Sequence, residues 1–128
     1  MRGLHDGAMS NAMNIAASGM QAASARVEAA ASNIVNMDSS GYQPVSVAQS
    51  PAPDGGVSAS LQPVTPATLL TYNPASPYAN VQGMVAAPNV DMATEIVNMK
   101  LAEHDFRASL MAYKASSQMF KTLLDATA

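Results

Sequence analysis

Few residues in this 128-residue chain could take part in catalysis or bind a metal ion. The only histidines are His5 and His104, and cysteine is absent, so a histidine or thiolate metal cluster within one chain is excluded. His104 lies between Glu103 and Asp105, but adjacent side chains on a helix diverge, which makes a surface histidine the simpler interpretation. The motifs of serine hydrolases, phosphate loops, zinc proteases and calcium loops are also missing. We therefore predict no catalytic, metal or cofactor site, and we predict that the chain is not an enzyme.

Composition and charge narrow the possible partners. A hydrophobic content of 48% is too high for a disordered chain, and a net charge of -3 without any basic segment argues against a nucleic-acid partner. No apolar stretch is long enough for a membrane span or a conventional secretion signal, so we expect no direct membrane insertion. A periplasmic location would therefore require a different export route.

Proline is confined to the middle of the chain. All eight prolines lie between Pro44 and Pro88, and both flanks are rich in Ala, Met and Leu. We predict a mainly α fold in which two long terminal helices pack as a coiled-coil pair, forming one domain from both ends. Its parts are an N-terminal helical segment (1–37), a short β-hairpin with a Pro-rich extended connection (38–88) and a C-terminal helix (89–128).

Large apolar residues recur every seven positions in both helical segments. In the first helix, predicted over about residues 11–36, this row is Met13, Met20, Val27 and Ile34. The second helix is predicted to run to about Leu124. Its seven-residue row is Met92, Met99, Phe106, Tyr113 and Phe120, and a further row four positions later contains Ile96, Leu110 and Leu124. Heptad spacing is typical of helices that share a packing seam. We call these residues the heptad rows and predict that they form an assembly interface.

The C-terminal helix also carries a second apolar or small face, which comprises Val97, Leu101, Ala108, Ala112, Ala115, Met119 and Leu123. One intramolecular helix covers only one face, so we expect this second face to meet a different chain. The alternative is a compact antiparallel helix pair that leaves the second face in water.

A row of basic residues follows the same helix at heptad spacing: Lys100, Arg107, Lys114 and Lys121. This basic ladder has two interpretations. It is either a solvated flank whose aliphatic stems shield the seam, or a set of cations that meets acidic groups of a neighbouring subunit.

The middle segment begins with two runs of alternating residues. Val45–Val47 and Val57–Leu61 flank an Asp-Gly turn, which predicts a β-hairpin. Beyond it, the prolines from Pro63 to Pro77 are expected to prevent regular ladders and to leave an extended connection. Because Asp38 and Asp54 are the only charged residues of the middle segment, we expect part of it to lie against other protein.

Short segments throughout the chain resemble the flagellar basal-body rod and hook proteins. The N-terminal matches to the family pattern SGMxAQ, RL, ANNIAN and GY are Ser18–Ala22, Arg26–Val27, Ala31–Asn36 and Gly41–Tyr42. The later segments Tyr72–Pro74, Gly83–Val85, Pro88–Asp91 and Glu95–Met99 are similar to the proximal-rod branch of this family, the FlgC proteins.

The resemblance implies a mechanical function. Terminal helices would pack as a coiled-coil tube around a channel in the periplasmic rod of the bacterial flagellum, and the rod would transmit torque from rotor to hook. The implied partners are copies of this chain, other rod proteins including the rod-to-ring adapter FliE, and the flagellar type III export apparatus. The alternative from another class is a small helical adaptor or binding module that uses the same apolar seam.

Overall fold

The computed structural model describes residues 2–127, with side chains described over residues 7–127. In chain order the elements are helix α1 (Arg2–Val35), strands β1 (Val45–Pro51), β2 (Val57–Pro63), β3 (Thr68–Tyr72) and β4 (Met84–Pro88), and helix α2 (Met92–Thr127). Long helices near both ends confirm the mainly α prediction. The first helix begins well before the predicted residue 11, and the second extends slightly beyond Leu124.

The two helices pack against each other in antiparallel directions. Gly19 lies against Ser109, Arg26 forms a 2.6 Å salt bridge with Asp105, and Asn33 lies beside Glu95. Residue numbers therefore rise along α1 in the direction in which they fall along α2, as in an antiparallel pair. A Cβ atom on Gly19 would lie only 2.6 Å from the Ser109 hydroxyl oxygen, so the missing side chain permits the close approach of the helices.

The predicted hairpin is confirmed as the antiparallel pair β1–β2, which packs on α1. Its register runs from Val45 opposite Pro63 to Pro51 opposite Val57. The turn is closed by the Ala52 amide, which donates to the Gly56 carbonyl at 2.8 Å, and Gly55 adopts a φ of 93°. A positive φ of this kind is readily accessible only to glycine, which explains the Asp-Gly signal in the sequence.

A second antiparallel hairpin, β3–β4, replaces the predicted extended connection, so that prediction was wrong. The prolines do not interrupt it because β3 occupies a proline-free stretch between Pro66 and Pro74. Its loop is held by the Asn80 side-chain oxygen, which accepts hydrogen bonds from two backbone amides at 2.9 Å each. Local side-chain bonding of this type stabilises turns where regular ladders end.

The buried side chains are small. Among the residues with described side chains, every buried hydrophobic one is an alanine: Ala16, Ala22, Ala23, Ala29, Ala30 and Ala102. The largest fully buried side chains are those of Asn33 and Pro44. The accessible surface of the 13.2 kDa chain is 8400 Å², whereas a folded monomer of this mass exposes about 6,400 Å². The single chain thus has close helix contacts but little apolar core.

Candidate assembly surfaces

Asn33 fastens the base of the first hairpin to α1. Its side chain is 1% exposed, and its amide nitrogen donates to the Val45 carbonyl at 2.7 Å. Its oxygen accepts from the Val45 amide at 3.1 Å and from the Tyr42 hydroxyl at 2.7 Å. A buried amide with this many satisfied bonds fixes the orientation of the strand it holds. Asn33 and Tyr42 both belong to segments that resemble the rod-protein pattern, but their position in that pattern does not predict this bonding role.

The tip of the same hairpin is fastened to α1 near its middle. The Val57 amide donates to the Ser18 hydroxyl at 3.1 Å, and this hydroxyl donates to the Ile15 carbonyl at 2.6 Å. A Cβ atom on Gly56 would lie 2.6 Å from the same hydroxyl oxygen. The hairpin therefore lies along α1 with both of its ends bonded.

Charged groups between the elements are few. Burial raises the pKa of the Glu95 carboxyl, a hydrogen bond with the Asn33 side chain opposes this rise, and the negative charge of Asp91 adds to it. Further along the helix pair, Arg26 and Asp105 form an ion pair that is partly open to water. Such a pair contributes only about 0 to 1 kcal/mol, so charge does not replace the missing apolar core.

The heptad rows flank the line of closest helix contact. Half-buried members are Met13, Met20, Val27, Ile34, Met99, Phe106, Leu110 and Phe120. Exposed members are Met92, Ile96, Tyr113 and Leu124. The line of contact itself is occupied by alanine and glycine, because small side chains allow the shortest distance between helix axes. Phe106 consequently rests at the edge, beside Ser24 and Val27, in a cleft of about 300 Å³.

The second face of α2 is almost entirely uncovered in the single chain. Its large residues Val97, Leu101 and Met119 are all more than half exposed. The alanines of this face are exposed too, and only Leu123 is half-buried. An apolar strip along a whole helix is unusual on a monomer surface and is typical of an interface.

The basic ladder is exposed along its whole length. None of its four members forms an ion pair with a residue that the structure describes. His104 is exposed as well, whereas the side chain of His5 lies outside the described residues. The ladder therefore remains available to a partner.

The described residues contain no group of three or more potential metal ligands. Neither α1 nor α2, within its described bounds, contains a stretch that is long and apolar enough to cross a membrane. The features that distinguish this molecule are consequently its uncovered apolar faces and its two hairpins.

Comparison with known proteins gives matches at both ends of the chain. Residues 13–43 match the flagella basal body rod protein family, and residues 81–126 match the C-terminal region of the flagellar basal body rod FlgEFG proteins. The flagellar basal-body rod protein FlgC of Salmonella typhimurium is 34% identical over 129 residues, covering 91% of this chain and 96% of the relative. FlgC of Buchnera aphidicola is 36% identical, with 88% and 94% covered, and FlgC of Aquifex aeolicus is 30% identical, with 91% and 95% covered.

These matches define the class of protein as a structural component of the flagellar basal-body rod. Within that class, the chain belongs to the FlgC family. The resemblance noted in the sequence is confirmed, as are the location in the basal body and the prediction that the chain is a structural protein and not an enzyme. The adaptor alternative is not favoured.

Proposed function

We propose that this rod protein is a proximal-rod subunit whose fold is completed by its neighbours in a helical rod that transmits torque from rotor to hook. One observation carries the proposal: the described core contains alanine and a buried asparagine, while the large apolar residues lie at edges or on the surface. Burial of large apolar side chains is the main source of folding free energy. A chain that leaves them exposed gains that free energy only when another chain covers them.

The heptad rows supply the first of these inter-subunit contacts. Their half-buried members already line one edge of the helix pair, where the cleft beside Phe106 is open. A helix from a neighbouring subunit that packed along this edge would complete a coiled-coil arrangement around both helices. The copies would then share one continuous apolar seam, which is the kind of stiff contact that a torque-bearing tube needs.

The second face of α2 and the basic ladder supply further contacts on other sides of the same helix. Both are exposed in the single chain, and the ladder lacks carboxylate partners among the described residues. We expect the neighbours to be copies of this chain and other rod proteins, including FliE.

We also propose that the chain reaches the rod through the flagellar type III export apparatus, and the same weak core supports this proposal. Export in an unfolded form requires that unfolding costs little free energy. A fold of small buried side chains meets that requirement, because most stabilisation would be gained only after assembly.

Substitution of Phe106 by alanine tests the interface directly. A fully buried phenylalanine contributes about 3 to 5 kcal/mol, so Phe106→Ala should block rod assembly and abolish swimming if neighbours bury this ring. The matched control is His104→Ala, which alters an exposed side chain on the same helix and should leave motility intact. Normal swimming of the Phe106→Ala strain would contradict the interface assigned to the heptad rows.

A further inference from the structure

The second hairpin presents an apolar face that its own chain does not cover. Leu70 and Tyr72 are each 69% exposed on one face of β3, and the exposed Ala86 lies opposite Leu70 on β4. The hairpin packs on no other described helix or strand. A two-stranded hairpin is at best marginally stable in water unless a third element covers it. This face, called the outer hairpin face below, therefore needs a partner.

The opposite face of the hairpin is partly covered by the same chain. Thr71 and Val85 point to this side and line a cleft of about 290 Å³ together with Asp38 and Ser40, which follow α1. The hairpin is thereby placed at the end of the helix pair where α1 stops and α2 starts. Ala86 also reaches this cleft, and Leu69 on the opposite face is 52% exposed, but Leu70 and Tyr72 do not line the cleft and are the most exposed large side chains of the two strands. These two side chains of the outer hairpin face remain free to receive another molecule.

A shallow groove of suitable character lies further along the same helix pair. It has a volume of about 610 Å³ and is formed by α1, α2 and the tip of the first hairpin. Its lining is apolar and small, and includes Ala12, Ile15, Gly19, Gly55, Ala108 and Ala112. We call it the small-residue groove. Bulky side chains are absent from most of its lining, so there is room for those of a partner.

We propose that the outer hairpin face of one subunit docks in the small-residue groove of a second copy of this chain. The inference rests on the proposed function and identifies one contact within the assembled rod. Leu70 and Tyr72 would provide the large apolar groups, and glycine and alanine of the groove would provide the space. The hairpin cannot fill the groove of its own chain in this arrangement, because it makes no contact with α1 or α2.

The absence of charged residues from both surfaces supports this docking. No charged residue occurs from residue 55 to residue 90, which includes the whole second hairpin. The residues that line the groove are uncharged as well. Docking would therefore bury no unpaired charge, which is the most costly error that an interface can contain.

The amount of exposed surface and its placement also fit. The chain exposes about 2,000 Å² more surface than a folded monomer of its mass. A standard interface buries about 800 Å² on each partner, so this excess surface is large enough for two interface patches on each subunit. The hairpin and the groove are different patches on one chain. A contact between different patches is heterologous and extends into a ring or a helix, as a rod requires.

Cysteine crosslinking in assembled basal bodies tests the proposed contact, because the chain contains no cysteine of its own. One strain would express two single-cysteine chains, Leu70→Cys and Ala112→Cys, both at exposed positions, and purified basal bodies would be treated with a short bis-maleimide. The matched control replaces Leu70→Cys by Thr71→Cys, the exposed neighbour on the opposite face of the strand.

The expected result is a shift of the chain to the mass of a dimer in the Leu70→Cys strain and no such shift in the Thr71→Cys control. Uncrosslinked chain in both strains, or crosslinking of Leu70→Cys only to a different rod protein, would overturn the docking of two copies while leaving the proposed function intact. Absence of the unsubstituted chain from basal bodies would instead contradict the proposed function, and with it this inference.

Discussion

The two hairpins of this molecule are built in the same way but differ in what supports them. The first, β1–β2, lies on α1 and is bonded at its base by Asn33 and at its tip by Ser18. The second, β3–β4, is also antiparallel but has a longer loop and a shorter ladder, and no described helix or strand packs on it. The strands of both hairpins are uncharged, and the one charged residue of the two hairpins is Asp54 in the first turn. The difference therefore lies in the presence of a supporting helix and not in local strand propensity.

This difference indicates which parts of the fold belong to the single chain and which to the assembly. The first hairpin lies close to α1 because Gly56 at its tip leaves room for the Ser18 side chain of the helix. The second hairpin carries larger, exposed side chains and has no such partner. The single chain positions its first hairpin by hydrogen bonds. We propose that its second hairpin and the second face of α2 contact other chains.

Removal of the Asn33 side chain should weaken the support of the first hairpin more than any other substitution considered. Asn33→Ala would leave the Val45 amide and carbonyl without their side-chain partner, at a cost of about 1 to 3 kcal/mol for each unsatisfied group, while the Tyr42 hydroxyl keeps its bond with the Ser32 hydroxyl. We expect the first hairpin to detach from α1, and we expect little of the variant to be recovered in basal bodies. Asn14→Ala, at an exposed site on the same helix, is the matched control. Equal recovery of the two variants would show that Asn33 does not hold the hairpin.

A bulky residue at Gly19 should have an intermediate effect, because it separates the helices that support the first hairpin. Gly19→Leu would place a side chain against Ser109, and overpacking of this kind costs about 1 to 3 kcal/mol. Gly7→Leu is a close control, since it makes the same substitution on α1 where no atom lies within 4 Å of the new Cβ. Basal-body recovery and motility should fall only for Gly19→Leu; equal behaviour of the two strains would argue against tight helix packing at this point.

Charge reversal on the basic ladder should have the smallest effect at each position. An exposed ion pair contributes about 0 to 1 kcal/mol, but Arg107→Glu combined with Lys114→Glu would place like charges against an acidic neighbour and should reduce rod assembly. Lys121→Glu, near the end of α2, should be tolerated. If rods form in normal amounts in the double-reversal strain, the ladder is a solvated flank and the apolar surfaces alone carry the contact.

Much of the architecture could be predicted from the sequence. Periodicity located both helices because it extends over many residues, and the Asp-Gly turn located the first hairpin because glycine is needed at a positive φ. The second hairpin differs from the predicted extended connection because the density of prolines in this segment does not reveal the short proline-free stretch of β3. Whether proline interrupts a ladder depends on its position relative to the strand, and composition alone does not provide that position.

The contact surfaces were less accessible to sequence reasoning. Of the twelve heptad-row residues eight are half-buried and four are exposed, and the spacing could not show that Ala23 and Ala102 would be buried while Phe106 lies at the edge of the helix contact. That arrangement depends on how each helix is rotated about its axis, which is set by the closest approach of small residues. Asn33 was not predicted to be buried either, since a polar residue indicates burial only when its bonding partners from distant segments are known.

Circular dichroism of the isolated chain, compared with the chain in assembled rods, tests most directly the claim that neighbours complete this fold. The structure contains 34 residues in α1 and 36 in α2. Because the isolated chain buries few large apolar side chains, we predict that it has much less helix than this in solution and melts without cooperativity, whereas the assembled chain has the full amount. A monomer that shows the full helical content and a cooperative thermal transition would contradict the account.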